Sequence, residues 1–273
     1  MKNLIKFAFL GLFITSCSTT DDNDPNHFDE PLTTKMFPYI IYHSLSPSSE
    51  NNSKLNFEYD TNKRLTKQIG GIISVSEAIG FSHVFTTQFY TLLTYNSNKV
   101  TVEELSSGEI SPQKNTRYFT LNTKNQIITK EIPNTKNYLY KKLTFKYLDN
   151  KLSEIETTLP NMPYDPTDPW DYILTYSEKF YYDSNGNLTK TEYFEKRNGV
   201  NKGVKIIRTF EDYDNSTNPF KRLQLLDDFF YRSLSKNNFR KYTEVHYNND
   251  EITSESTKTW GFNYDLDGKI IIN

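Results

Sequence analysis

Along most of this chain, aromatic and aliphatic residues fall two apart, break at a short polar cluster, and resume. Phe180-Tyr-Tyr-Asp-Ser-Asn-Gly-Asn-Leu188 shows the unit: alternation up to a tyrosine, a turn cluster, then an apolar restart. Seven segments share this register: Phe57/Tyr59 with Leu65, Leu93/Tyr95 with Val100, Phe119/Leu121 with Ile127, Phe145/Tyr147 with Leu152, Phe180/Tyr182 with Leu188, Val245/Tyr247 with Ile252, and Phe262/Tyr264 with Ile270. A period of two places the anchor, its neighbour two back and the restart on one buried face. The other face, with Asn56, Glu58, Thr94, Lys146 and His246, is wet.

Anchor and restart are separated by two spacings, and the turn residues sort with them. The shorter spacing closes on Ser97-Asn98, Asp149-Asn150 and Asn249-Asp250, where a type I′ turn needs positive φ and Asn or Asp tolerates it. The longer spacing leaves three loop residues, the third left-handed: Lys63, Asn125, Gly186 and Gly268. The pattern predicts seven hairpins. Further strands are expected over 37–45, 81–92, 170–176 and 204–210. The fold class is therefore all-β, a long antiparallel meander over residues 35–273. So many strands must curl strongly, into a half-open sheet or a closed barrel.

Three stretches leave the register. Pro160 to Asp171 holds four prolines and three aspartates and predicts a long loop. Tyr164 and Trp170 suit stacking on a sugar or peptide, and Asp165, Asp168 and Asp171 suit a cation. The plainer reading is a stiff cross-connection with Trp170 packed into the core. Asn218-Pro219 reads as a cap and first turn opening one helix to Leu234, with Leu223, Leu226, Phe230 and Leu234 at helical spacing. That insertion is expected to plug an end or cover the apolar face, leaving Phe229 as core or as a partner contact. Gly70-Gly71 and Gly80 flank 72–79, an edge strand, a bulged strand or an amphipathic insertion.

The first residues are not part of this pattern. Lys2 and Lys6 supply positive charge, and residues 4–14 form an apolar run too short to span a membrane. The run ends at Ile14-Thr-Ser-Cys17, which resembles a bacterial lipobox. That resemblance implies a signal peptide over 1–16 and lipid attachment at Cys17, the only cysteine. The acidic stretch 17–34 then reads as a flexible tether, and it resembles the surface-export signal of Bacteroidota lipoproteins. Tyr-Asp-x-x-Gly-x-Leu-Thr at 182–189, with Tyr264-Asp-Leu-Asp-Gly268, resembles the YD repeat of wall-associated and Rhs-type bacterial proteins. The likeness implies fold and envelope location, not activity.

Composition narrows the function further. Net charge is −2 with both signs interspersed, which argues against nucleic acid as a partner. His27, His43, His83 and His246 form no zinc spacing, and no thiol or serine nucleophile motif occurs, so neither catalytic residues nor a metal or other cofactor are expected. Asp183 to Asn187 has its glycine where a hairpin needs it, not where a calcium loop does. The sequence thus points to a lipid-anchored outer-membrane, surface-displayed binding module without catalysis. Its expected partners are the membrane itself and either a glycan or an outer-membrane protein. The alternatives are a structural accessory subunit of an outer-membrane complex and an envelope hydrolase with carboxylates paired across strands.

Overall fold

The structure, a computed structural model, describes residues 32–42, 54–74, 83–109 and 115–272. Fourteen strands form one antiparallel sheet in strict chain order: β1 (Lys35–Met36), β2 (Leu55–Tyr59), β3 (Leu65–Ser74), β4 (His83–Asn96), β5 (Lys99–Ser106), β6 (Thr116–Leu121), β7 (Ile127–Ile132), β8 (Lys141–Leu148), β9 (Lys151–Thr158), β10 (Leu174–Tyr182), β11 (Leu188–Arg197), β12 (Val200–Tyr213), β13 (Phe239–Asn248) and β14 (Glu251–Thr259). The strands β15 (Asn263–Tyr264) and β16 (Ile270–Ile271) make a separate ribbon. Because β1 and β14 do not pair, the sheet is not a closed barrel.

The hairpin turns adopt the conformations their residues favour. Lys63, Asn125, Gly186 and Gly268 all have positive φ, between 57° and 86°. Asp149-Asn150 and Asn249-Asp250 are positive at both positions, as type I′ requires, whereas at 97–98 only Ser97 is, the type II′ pattern. The residue after the anchor explains the long tips. Asp60 Oδ1 accepts N–H bonds from Asn62 and Arg64, both at 2.9 Å. Asn122 does the same for Lys124 and Gln126, Asp183 for Asn185 and Asn187, and Asp265 for Asp267 and Lys269. Each tip thereby satisfies two loop N–H groups from a single side chain.

Five of the seven hairpin turns, those joining β2–β3, β4–β5, β6–β7, β8–β9 and β10–β11, lie at one end of the sheet, the base, together with the insertion over 214–238 that joins β12 to β13. Asn218 Oδ1 accepts from Phe220 N at 2.9 Å but caps no helix, because the first 3₁₀ turn has Phe220 at its cap position and no side-chain cap. The single predicted helix is instead two 3₁₀ turns, Lys221–Leu223 and Asp227–Phe229, followed by α1 (Phe230–Ser233). Phe220, Leu223, Leu225, Leu226 and Phe229 are all buried, and at helical spacing they would spread over more of the circumference than one apolar stripe covers, while Asp227 and Asp228 stay exposed. Phe229 is core. It meets Phe57 of β2 edge to face, Phe230 meets Phe145 of β8 and Phe180 of β10, and Tyr231 meets Phe210 of β12. In a flat sheet β2 and β12 would stand about 48 Å apart, at about 4.8 Å per strand. Their contact with one insertion requires a sheet strongly curved around it. Each fully buried Phe or Leu there contributes about 1.5–3 kcal/mol.

The sixth predicted segment needs correction. β13 and β14 do form the hairpin, but the insertion occupies the base connection, so the Asn249-Asp250 turn falls at the opposite end. Phe210 and Arg208 face the insertion and pair with Tyr242 and Glu244. From Tyr242 to His246 the even-numbered β13 residues therefore point inward, and His246 is an inner residue. Val245, Tyr247 and Ile252 point outward, with Ile252 61% exposed. The strand expected over 37–45 is absent from its described part, 37–42, where Pro38 opens a 3₁₀ turn, Pro38–Ile40, and the one expected from 170 begins only at Leu174, as β10. Gly70, with φ of 109°, sits where the β3–β4 register shifts, so the glycine pair marks a bulged strand. The expected continuation to Gly80 lies outside the described residues.

Candidate ligand-binding mouth

Opposite the base lies the other end of the curved sheet, termed the mouth, rimmed by the β7–β8, β9–β10 and β11–β12 connections. The proline-rich stretch is the β9–β10 connection, and it is pinned by its own aspartates. Asp165 Oδ1 accepts from Thr167 N at 2.8 Å and Thr167 Oγ1 at 2.7 Å, which holds the Asp165 carboxyl below its usual value. Asp168 Oδ1 accepts from Trp170 N at 2.9 Å. Asp171 accepts from Asp165 N at 2.7 Å and Tyr172 N at 2.8 Å. All three carboxylates are thus engaged with loop donors, not converged on a cation position. Among the described residues no cluster of three or more acidic, His or Cys side chains suits a metal.

Neighbouring connections brace this loop. Asn161 Nδ2 donates to Asn137 Oδ1 at 2.9 Å, while Ile173 N donates to Asn198 Oδ1 at 2.9 Å and Asn198 N to Ile173 O at 3.0 Å. On the rim Trp170 is 87% exposed and Tyr164 43%. The expectation that Trp170 packs into the core is therefore wrong. The prolines and Asx turns finish the loop before β10 begins, so the indole never reaches the sheet. Tyr138, Leu139, Met162, Ile173 and Val200 are exposed along the same rim.

Beneath the rim the inner wall is charged where it meets the insertion. Arg117 of β6, nearly buried, reaches Glu104 at 2.9 Å and Asp227 at 2.6 Å, and Lys130 of β7 reaches the same Asp227 at 2.5 Å. Burial alone would raise Asp227, but Lys130 and Arg117 hold its carboxyl below the usual value. Its neighbour Asp228 is the opposite case, raised by desolvation and by the Asp227 charge. Across the bowl, Arg208 joins Glu178 at 3.1 Å and Glu244 at 2.8 Å. Tyr231 donates to Glu178 at 2.9 Å, Tyr242 to Glu244 at 2.5 Å, and His246 Nε2 lies 2.6 Å from Glu244. Burial opposes ionisation of Glu244, yet the Tyr242, His246 and Arg208 contacts keep it below the usual carboxylate value. Asp227 and Glu244 are thereby held as anions and are poorly placed to donate protons.

The structure therefore groups the five predicted loop residues, Tyr164, Asp165, Asp168, Trp170 and Asp171, on one rim. The two aromatics stand exposed, while each aspartate spends carboxylate oxygens on the loop's own donors. Cys17 and the tether up to residue 31 lie outside the described residues, as do His27 and His43; the last tether residues are not flexible, since Thr33 is buried and Phe57 N donates to Thr34 O at 2.9 Å. The inner-wall network escaped the sequence reading because its members come from separate strands and an insertion.

No protein-family model matches the chain, and no curated protein matches it. Among solved structures it is similar to a porin-like protein from Bacteroides uniformis, with 14% identity, a TM-score of 0.49, and coverage of 88% of this chain and 89% of that one. It is also similar to a porin-like protein from Bacteroides vulgatus, with 12% identity, a TM-score of 0.40, and coverage of 83% and 87%.

Proposed function

We propose that this protein is a lipid-anchored outer-membrane, surface-displayed binding module, without catalytic activity, that takes its ligand at the mouth. The observation that carries the reading is Trp170, held almost fully exposed on a loop stiffened by four prolines and three engaged aspartates. A rigid exposed aromatic loses little conformational freedom on binding and offers a large apolar face. Chain entry supports the orientation. Thr33 O accepts from Tyr59 OH, and Thr33 Oγ1 donates to Pro219 O, both at the base. A tether from an acylated Cys17 to residue 32, reaching about 50 Å when extended, would join at the base and turn the mouth away from the bilayer. The Asp-tipped hairpins support reading the repeats as YD-like. The pairing of the inner-wall carboxylates supports a role without acid–base chemistry.

The test is a pull-down of the full-length protein from mildly solubilised native envelope, wild type beside Trp170→Ala, with retained glycans and proteins identified by mass spectrometry. The wild type should retain a component that the variant loses, while thermal melts of the two coincide. Equal retention, or none in either, refutes the reading. A second reading, the accessory subunit, has its own observation: β14 is a sheet edge nine residues long with every residue exposed, open to strand addition. It predicts stoichiometric recovery of an envelope protein that Trp170→Ala does not disturb.

A further inference from the structure

On the inner face just below the proline loop, three tyrosines and an ion pair gather where β10 begins and β11 ends. Tyr176 and Tyr193 stack with centroids 5.5 Å apart and planes 18° from parallel. The Arg197 guanidinium lies 4.6 Å over the Tyr172 ring and donates from Nε to Glu195 Oε1 at 2.8 Å. Tyr193 pairs with Glu178, and Glu195 with Tyr176, so the group continues the inward row that includes Phe180. All three rings are half-buried, yet none belongs to the hydrophobic core, unlike Tyr182, Tyr213, Tyr231 and Tyr242.

The sheet is shaped around this group. The β11–β12 register shifts between Phe194 and Lys196, and Gly203 takes a φ of +75° opposite the shift. A Cβ there would stand 3.2 Å from Glu195 Oε1 and 3.6 Å from Arg197 Nη2. The glycine bulge leaves room for the ion pair at the mouth.

We propose that Tyr172, Tyr176, Tyr193, Glu195 and Arg197 form a carbohydrate subsite. The inference rests on the mouth reading and names its ligand class. The C–H face of a pyranose would lie against the outer tyrosine face, and its hydroxyls would donate to Glu195 and accept from Arg197. Chemistry excludes the simpler classes. A purely apolar ligand would desolvate the ion pair without replacing its hydrogen bonds. An anion meets Glu195, a cation meets Arg197, and only a neutral group that both donates and accepts satisfies the two together.

The experiment presents the full-length protein, in lipid nanodiscs, to an array of neutral and acidic oligosaccharides, with affinities for hits measured by titration. Binding of a neutral glycan is expected, weakened about tenfold or more by Tyr176→Ala and by Tyr193→Ala. Tyr176→Phe, which keeps the ring, should retain binding, and thermal melts verify folding of each variant. Glycan binding lost in Trp170→Ala but intact in both tyrosine variants would overturn the subsite and leave the mouth reading standing. So would an empty array beside a Trp170-dependent protein partner in the pull-down. An empty array with no Trp170-dependent partner would overturn both.

Discussion

The Arg117–Asp227 contact is the ionic tie between the insertion and the sheet, and a double-mutant cycle measures it. Arg117→Met keeps the length and apolar stem but removes the cation that joins Asp227 to Glu104. Severing a fully buried pair costs about 3–5 kcal/mol because a charge is stranded, whereas an exposed pair is worth about 0–1 kcal/mol. Here the cation is buried, but the Asp227 and Glu104 side chains are 49% and 34% exposed, and Asp227 keeps Lys130. The cost should therefore fall between those limits, at about 2 kcal/mol for Arg117→Met and about 1 kcal/mol for Asp227→Asn. The coupling in the double variant should be about 1 kcal/mol. Urea unfolding followed by circular dichroism reads all three. The pH dependence has a fixed sign: the Asp227 carboxyl is held below its unfolded value, so its contribution is complete above the unfolded pKa and disappears as pH falls through the folded one. Wild type should lose stability on acidification more steeply than Asp227→Asn. Additive single variants, with parallel acid profiles, would refute the tie and leave apolar packing and neutral hydrogen bonds, such as Gln224 to Asn125 O, to hold the insertion.

Gly70→Ala should destabilise by about 3 kcal/mol, since the φ of +109° strains any side chain and the new Cβ would stand 2.6 Å from Phe85 Cζ. Gly71→Ala, with its nearest atom at 3.4 Å and no positive φ, is the control and should cost under about 1 kcal/mol in the same urea assay. Asp183→Ala strips two loop N–H bonds from its tip and should cost about 1–2 kcal/mol, whereas Asp183→Asn should cost less, because Asn122 already does this work at another tip. Arg232 is buried with its guanidinium 4.1 Å from the Phe239 ring and 4.4 Å from Trp260. Arg232→Lys should lose about 2 kcal/mol, since an ammonium cannot stack as the planar group does, and Trp260 fluorescence should shift at lower urea.

What could be read from the residues alone was whatever a few adjacent positions decide. A tip such as 183–187 carries its own instructions: Asp183 accepts from its own loop, Gly186 supplies the left-handed residue, and the flanking alternation pins the register. The same local logic covers Asn198-Gly199, positive at both positions and closing β11 on β12, a hairpin the tyrosine register passes over because it has no anchor. Where geometry depended on several elements, the pattern misled. The helical spacing from Leu223 to Leu234 is real, yet the insertion also buries Phe220, Leu225 and Phe229 against several strands, more positions than one helical stripe covers, and it broke into 3₁₀ turns.

The inner wall is the more instructive case, because its signal was present and lay in parity. Glu178 stands two and four residues before Phe180 and Tyr182, and Arg117 two before Phe119, both on the side that the register assigns to the core. Charges at buried parity require partners, and here an insertion distant in sequence supplies them: Asp227 for Arg117 and Tyr231 for Glu178. The phase error at β13 has the same origin. An insertion between two strands does not change the alternation within either, but it moves the next turn to the other end. The same tyrosine-to-restart pattern then describes an outward face, and His246 exchanges places with Val245. Charged residues at core parity therefore locate a bound insertion better than the insertion's own helical periodicity does.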